Sequence, residues 1–256
     1  MSSRPSFTDE QLRRYSRQML LPEVGGAGQA RLARSRVLVI GAGGLGSPAA
    51  LYLAAAGVGT LGLVDSDAVE LSNLQRQILH GVKDLDRPKA YSGQARLGEL
   101  NPEVRVVPHH VRLDLADAGA IVSAYDVVVE GSDNLRTKLL VNDACVAAGR
   151  ALVVGAVVGW DGQLLVVRPC ESACYRCVVR SVPDADVLPS CATAGILGPV
   201  AGVIGSLQAV EALKLCLDLP TAAAGQLFLY DGRTVELTAV RARHDPACPV
   251  CAEGNR

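Results

Sequence analysis

The sequence predicts an α/β protein: a doubly wound, mostly parallel Rossmann-like sheet, extended by antiparallel strands and carrying a structural zinc site. Three observations predict it. Short, uninterrupted apolar runs such as Val37-Leu38-Val39-Ile40 alternate with helix-length segments, as the buried strands of a parallel sheet do. Gly41-x-Gly43-x-x-Gly46 directly follows the first such run and opens a small-residue helix, an arrangement that brings backbone and helix N-terminus close to a phosphate. Two Cys-x-x-Cys pairs, Cys174 with Cys177 and Cys248 with Cys251, offer four thiolates for a closed tetrahedral zinc site.

The elements follow in order. Thr8-Asp9-Glu10-Gln11 reads as a capping box, and Leu12, Tyr15 and Met19 follow at helical spacing toward a core. Arg13, Arg14 and Arg17 project elsewhere. Residues 29–34 read as a second short helix. After the 37–40 strand and the glycine loop, a helix runs to Ala56, and the strand Thr60–Val64 ends at Asp65. A helix over 88–100 stops at Asn101-Pro102, because the residue before proline disfavours the helical region. A strand over 104–108, a helix over 113–124 and the strand Val127–Glu130 follow. Next come a helix over 134–148 ended by Gly149 and the strand Ala151–Val158. Asp161-Gly162 and Asp231-Gly232 each sit between strand-like runs and signal hairpins, so antiparallel strands extend the sheet around a buried helix over 198–217. Residues 169–190, rich in Cys, Pro and Asp, read as an exposed irregular loop. No internal repeat is visible.

The composition excludes several classes. A chain of 256 residues with 49% hydrophobic and 20% charged residues is globular and buries roughly 70–75% of its unfolded surface. A net charge of −1 excludes a generally basic nucleic-acid binder and a polybasic membrane clamp. Aromatics at 4% argue against a base-stacking platform. Met1 to Glu10 carries no apolar leader. The apolar stretch over 192–217 is interrupted by Ser206, Gln208, Glu211 and Lys214, short of a membrane span. The chain is therefore expected to be cytoplasmic, with no membrane partner. Its eight cysteines then point to metal or catalysis rather than to disulfides.

Several residues carry candidate chemistry. Asp65, ending the second strand, is placed for a ribose hydroxyl, though the glycine motif alone does not separate NAD from ATP and would also serve a tight structural turn. Asp65-Ser66-Asp67 leads into Asn73-Leu74-Gln75-Arg76-Gln77; an arginine and amides beside a nucleotide suit phosphates, and a solvated polar loop has the same composition. Lys89 starts a helix, where its charge opposes the macrodipole; a bound phosphate would remove that conflict. Asp133, in Glu130-Gly131-Ser132-Asp133-Asn134, ends a parallel strand where ligands collect. It suits Mg2+ on a triphosphate, while Ser132, Asp133 and Asn134 are all helix caps. Cys191, in a Pro/Ser loop before the buried helix, is either an accessible nucleophile or inert. Cys145 and Cys216 belong to the core, and Cys170 fits either role.

The ordered set resembles one family. Arg14-Tyr15-Ser16-Arg17-Gln18, Gly41 through Gly46, Asp65 through Gln77, Pro88-Lys89, Ser132-Asp133-Asn134, Cys174-Tyr175-Arg176-Cys177, Gly205-Ser206-Leu207-Gln208 and Cys248-Pro249-Val250-Cys251 resemble the ThiF/MoeB/HesA adenylyltransferases, bacterial relatives of ubiquitin-activating enzyme. The resemblance spans essentially the whole chain. It implies an N-terminal helical arm (1–35) and a single adenylation domain (36–256). That domain has a nucleotide-binding half (36–150) and a carrier-binding, zinc-bearing half (151–256). It implies an enzyme that binds ATP and Mg2+, adenylates the C-terminal glycine carboxylate of a small ubiquitin-like sulfur carrier ending in Gly-Gly, and releases pyrophosphate.

In that family's pattern Asp65 holds the ribose, and Asn73, Arg76 and Lys89 contact the phosphates. Gly41, Gly43, Gly44, Gly46, Asp67 and Gln77 complete the nucleotide site, and Asp133 holds Mg2+. Arg17 reaches into a neighbouring subunit, implying a homodimer. Cys191 matches a thiol that in some members links covalently to carrier or sulfur. Longer relatives carry a rhodanese domain after the second Cys-x-x-Cys. This sequence ends at Arg256, so the expected sulfur donor is a separate cysteine desulfurase or rhodanese.

Three rivals remain. An NAD-linked oxidoreductase accounts for the glycine loop and Asp65, but not for Arg76, Lys89, Asp133 and the zinc site. A non-catalytic, zinc-stabilised scaffold for a ubiquitin-like protein has no need of the phosphate residues. An adenylating enzyme acting on a modified tRNA base fits the near-neutral charge and the four-cysteine site less well.

Overall fold

The structure, a computed structural model, describes residues 6–179 and 195–252. Its helices are α1 (Asp9–Met19), α2 (Gly25–Leu32), α3 (Gly46–Ala55), α4 (Lys89–Leu100), α5 (Ala118–Ser123), α6 (Leu135–Ala148), α7 (Tyr175–Val178) and α8 (Gly198–Cys216). The strands are β1 (Arg36–Ile40), β2 (Thr60–Val64), β3 (Arg105–His109), β4 (Val127–Glu130), β5 (Ala151–Val158), β6 (Asp161–Val167), β7 (Gln226–Asp231) and β8 (Glu236–Arg241). They form one sheet in the order β3-β2-β1-β4-β5-β6-β7-β8. Pairing is parallel from β3 through β5 and antiparallel from β5 to β8.

Strand alternation splits the core into two layers. Val37 and Val39 of β1 pack with Ala49 and Leu53 of α3 and Ala209 and Ala212 of α8. Leu38 and Ile40 point the other way, toward Leu139 and Cys145 of α6 and the buried Cys174, Cys248 and Cys251. Both faces of β1 are thus dry, which is why its sequence shows no polar alternation.

Most boundaries agree with the sequence reading, and the differences have local causes. Thr8 forms its capping box with Gln11. The Leu113 helix shrinks to Ala118–Ser123, because the Asp114 carboxylate accepts from the Ala116 and Asp117 amides and holds a turn. Asp161-Gly162 is not the hairpin turn. Val158 pairs with Asp161, so the turn is Gly159-Trp160, and Gly159 supplies the positive φ of 59°. Asp231-Gly232 does open a turn, with Asp231 paired to Glu236. The 169–190 region is not all exposed loop, since Cys174 and Tyr175 are buried at α7. Among the described residues α8 has the length and apolarity of a membrane span. It packs one face into the protein, burying Val200, Ile204, Gln208 and Ala212, while Val203 and Val210 stay exposed.

Candidate active site

A cleft of about 620 Å³ opens at the C-terminal ends of β1, β2 and β4. This is where the strand order reverses, since β1 pairs with β2 on one side and β4 on the other. Ligands of doubly wound sheets bind at such a crevice. Gly41, Gly43, Gly44, Asp65, Asp67, Arg76, Gln77, Lys89 and Asp133 all line it, so the fold gathers most of the residues singled out in the sequence.

The glycine loop owes its shape to close contacts. Gly41 has φ 88°, and a Cβ on Gly46 would lie 1.7 Å from the Gly41 carbonyl oxygen. Gly46 therefore closes the turn behind the loop and does not line the cleft. The peptide groups of Ala42 are held from two sides. Its N–H donates to Asp65 Oδ2 at 2.8 Å, and its carbonyl faces His80 Nε2 at 2.9 Å. His80 Nδ1 faces Ser92 Oγ at 2.9 Å. Burial lowers the His80 pKa, and the nearby Lys89 charge adds to that, so the ring stays neutral and Nε2–H is the donor to Ala42.

Asp65 accepts the Ala42 and Asp67 amides at 2.8 Å each. Burial raises its pKa, against the lowering effect of Lys89. Lys89 is itself buried and meets Asp67 Oδ2 at 3.3 Å, so it is no ordinary surface lysine. Arg76 donates to the Ser72 carbonyl at 3.1 Å. Gln77 is buried with an unpartnered Oε1, a polar atom left for a ligand or a water. Asn134 caps α6, accepting from the Thr137 amide at 2.8 Å. That frees exposed Asp133, which makes no hydrogen bond to any described residue and faces the cleft.

Two more expected residues lie outside the cleft lining, and a third is not described. Asn73 is buried outside the cleft lining, and its carbonyl accepts from the Arg76 and Gln77 amides; it shapes the segment that presents them. Arg17 is exposed on the last turn of α1, away from this chain's own cleft. Cys191 lies outside the described residues.

Other site residues escaped the sequence reading. Lys138 lines the cleft yet is buried, 2.5 Å from Glu130 Oε2 and 2.6 Å from the Gly155 carbonyl. Arg112 and Arg136 add two exposed cations to the cleft lining. Lys138 sits on α6 eight residues after Glu130, a separation with no local signature, so only tertiary packing pairs them.

The four cysteines converge. Their sulfurs lie within 4.8 Å of one another, with Cys174–Cys177 at 3.9 Å, Cys174–Cys248 at 3.6 Å and Cys177–Cys251 at 3.4 Å. A Zn–S length of about 2.3 Å implies tetrahedral S···S edges of about 3.8 Å, so the cluster fits zinc. Four thiolates would leave no open position on a bound zinc, so such an ion would be structural and would tie the 244–252 tail to α7. Arg176 anchors α7 to α6 through two 2.6 Å bonds to Asp143. A larger cleft of about 860 Å³ beside this site is lined by Cys170, Arg241, Arg243 and His244. It has neither glycine loop nor strand-order reversal, so the smaller cleft is the candidate active site.

A glycine loop at the reversal point, facing a buried lysine, an arginine and an exposed carboxylate, has the arrangement of a nucleotide-binding α/β protein. The chain belongs to the ThiF family, whose model matches residues 15–250. It is 47% identical to a "Sulfur carrier protein adenylyltransferase" of Thermus thermophilus, covering 96% of this chain and 93% of the relative. It is 46% identical to the "Sulfur carrier protein ThiS adenylyltransferase" of Escherichia coli, covering 97% and 98%. Among solved structures, Escherichia coli MccB with MccA-N7isoASN superposes with a TM-score of 0.85 over 98% of this chain and 77% of that one, at 20% identity. That likeness concerns the fold. The chain is an ATP-using adenylyltransferase of the ThiF family.

Proposed function

We propose that the protein activates a ubiquitin-like sulfur carrier by adenylating the carboxylate of its C-terminal glycine, with release of pyrophosphate. The observation that carries this reading is the single cleft joining the glycine loop, Arg76, Lys89 and Asp133. The family and the activities for which its relatives are named support it.

The chemistry follows from charge. The nucleophile is already ionised, so no general base is needed. The barrier is repulsion between a carboxylate and the α-phosphate, plus charge building on the leaving pyrophosphate. The N-terminus of α3 and the Gly43 and Gly44 amides receive phosphate oxygens, since the Gly41 and Ala42 amides are already bonded to the Val64 carbonyl and Asp65. Arg76 and Lys89 neutralise the developing charge, and Asp65 orients the ribose. Bound through Asp133, Mg2+ would supply further positive charge on the polyphosphate. Arg17, exposed and outside its own cleft, serves the cleft of a second copy, which makes the working unit a homodimer. The Cys191 thiolate attacks the carrier's acyl-adenylate and expels AMP, leaving a thioester, and the sulfur comes from a separate donor, a cysteine desulfurase or rhodanese, in the cytoplasm.

ATP–pyrophosphate exchange with the zinc-loaded protein tests this, with and without carriers ending in Gly-Gly. Carrier-dependent exchange that disappears in Asp133→Ala is expected. ATP binding with no exchange for any of several carriers would overturn the carrier reading and favour the scaffold or the tRNA-directed enzyme.

A further inference from the structure

The least expected feature of the cleft is a buried ion pair beneath it. Glu130 is fully buried and Lys138 is 6% exposed at its side chain. Burying two charges is costly unless geometry repays it, and such a pair is poor evidence of a purely stabilising role. Its bonds tie the strand end that carries Asp133 to the neighbouring elements. Glu130 Oε1 accepts the Ser132 amide at 2.9 Å and the Ser132 hydroxyl. Glu130 Oε2 meets Lys138, whose ammonium also grips the Gly155 carbonyl. The Glu130 carbonyl accepts from Gln208 Nε2 at 2.7 Å, and that amide also reaches the Val153 carbonyl at 3.1 Å. Gly131 N–H donates to the Ile40 carbonyl at 2.9 Å. β1, β5, α6 and α8 thus all hold residues 130–132, while Asp133 itself is bonded to nothing described.

We propose that Glu130 and Lys138 are positioning residues for the divalent cation that accompanies ATP. The pair locks the Ser132 backbone so that the Asp133 carboxylate is presented to the polyphosphate without reorganisation. Preorganising a metal ligand through its hydrogen-bonded neighbours raises metal affinity by one to two orders of magnitude. This inference rests on the reading of Asp133 as the Mg2+ ligand.

The test replaces both charges by similar apolar volumes, Glu130→Leu with Lys138→Met, since such swaps preserve stability when made together. ATP binding is measured by calorimetry across a Mg2+ titration and, separately, in EDTA. The expected result is a folded variant that still binds ATP in EDTA. Its half-saturating Mg2+ rises about tenfold. Hydrogen exchange at the Ser132 amide should accelerate. Ser132→Ala removes only the hydroxyl's bonds to Glu130 and, at 3.5 Å, to the Asn134 carbonyl, and shifts the Mg2+ midpoint in the same direction by a smaller factor. An unchanged Mg2+ midpoint in the folded double variant overturns the proposal; if that variant does not fold, an unchanged midpoint in Ser132→Ala overturns it. A wild-type Mg2+ response in Asp133→Ala overturns it too, by removing the ligand it positions. Because no carrier is present, these readouts stand apart from the substrate reading. Missing pyrophosphate exchange beside an intact Mg2+ response counts against the carrier alone.

Discussion

Replacing Gly46 by alanine separates the structural from the binding role of the glycine loop. The added Cβ would sit 1.7 Å from the Gly41 carbonyl oxygen and 3.3 Å from Val39 Cγ1. The first neighbour is backbone and cannot swing aside. Ordinary contact begins near 3.4 Å, so α3 must back away from β1 by about 1.7 Å. That motion pulls Ala49, Leu53 and Ala54, all fully buried, off the sheet. Overpacking costs about 1–3 kcal/mol where neighbours can relax. Here they cannot, so about 3 kcal/mol or more is expected. For a chain of this size that lowers Tm by roughly 6–12 °C. ATP affinity falls as well, because the loop opens.

Gly43→Ala is the control. Its Cβ would meet nothing closer than Gln77 Nε2 at 3.7 Å, yet Gly43 lines the cleft. Stability should stay within about 0.5 kcal/mol while ATP affinity drops. Thermal unfolding and calorimetric ATP titration read both variants. A Gly46→Ala protein with wild-type Tm and ATP affinity would refute the reasoning. So would a Gly43→Ala protein that loses as much stability as Gly46→Ala.

Three other perturbations probe the remaining parts. Lys89→Met keeps the buried stem and removes its charge; pyrophosphate exchange should fall roughly a hundredfold with Tm nearly unchanged, and an equal loss of stability and rate would point to a structural lysine. Cys248→Ser should lower bound zinc below one per chain by elemental analysis, cost on the order of 4–5 kcal/mol and expose residues 244–252 to proteolysis; full stability without zinc would sink the structural assignment. His80 predicts a pH effect. Its folded pKa lies below the ordinary 6.5, so the unfolded chain binds more protons and stability rises with pH through that window. The wild type should therefore lose stability as pH falls from about 6.5 toward the folded pKa, and His80→Gln should lose less; parallel denaturation curves for the two proteins would discount a buried neutral imidazole.

The sheet, the glycine loop and the zinc ligands were legible because each rests on local spacing. Dry runs such as Val37 to Ile40 mark strands covered on both faces. Gly41, Gly43 and Gly46 act within one turn. Two Cys-x-x-Cys pairs announce four thiolates wherever the chain brings them. Asp65, Lys89 and Asp133 were legible because strand ends and helix starts collect on one edge of a parallel sheet. The hairpin turn at Gly159-Trp160 was misplaced by two residues, since Asp-Gly is a stronger local signal than Gly-Trp and only the Val158–Asp161 pairing decides between them.

What the sequence by itself determined is the class of chemistry: glycines, a carboxylate at each strand end, cations and thiols in a fixed order. Tertiary structure alone decided which of these residues meet. It moved Asn73 out of the cleft lining, set Gly46 behind the loop, and left Arg17 outside its own cleft. It also put Lys138 against Glu130 and Gln208 against Gly155, where a Cβ would come within 2.6 Å of the amide. The physical reason is range. A cap, a turn or a metal-ligand pair is made by residues a few positions apart and leaves a spacing in the sequence. A buried charge or amide is satisfied by whichever element the packing of α6 and α8 on the sheet brings within hydrogen-bond distance.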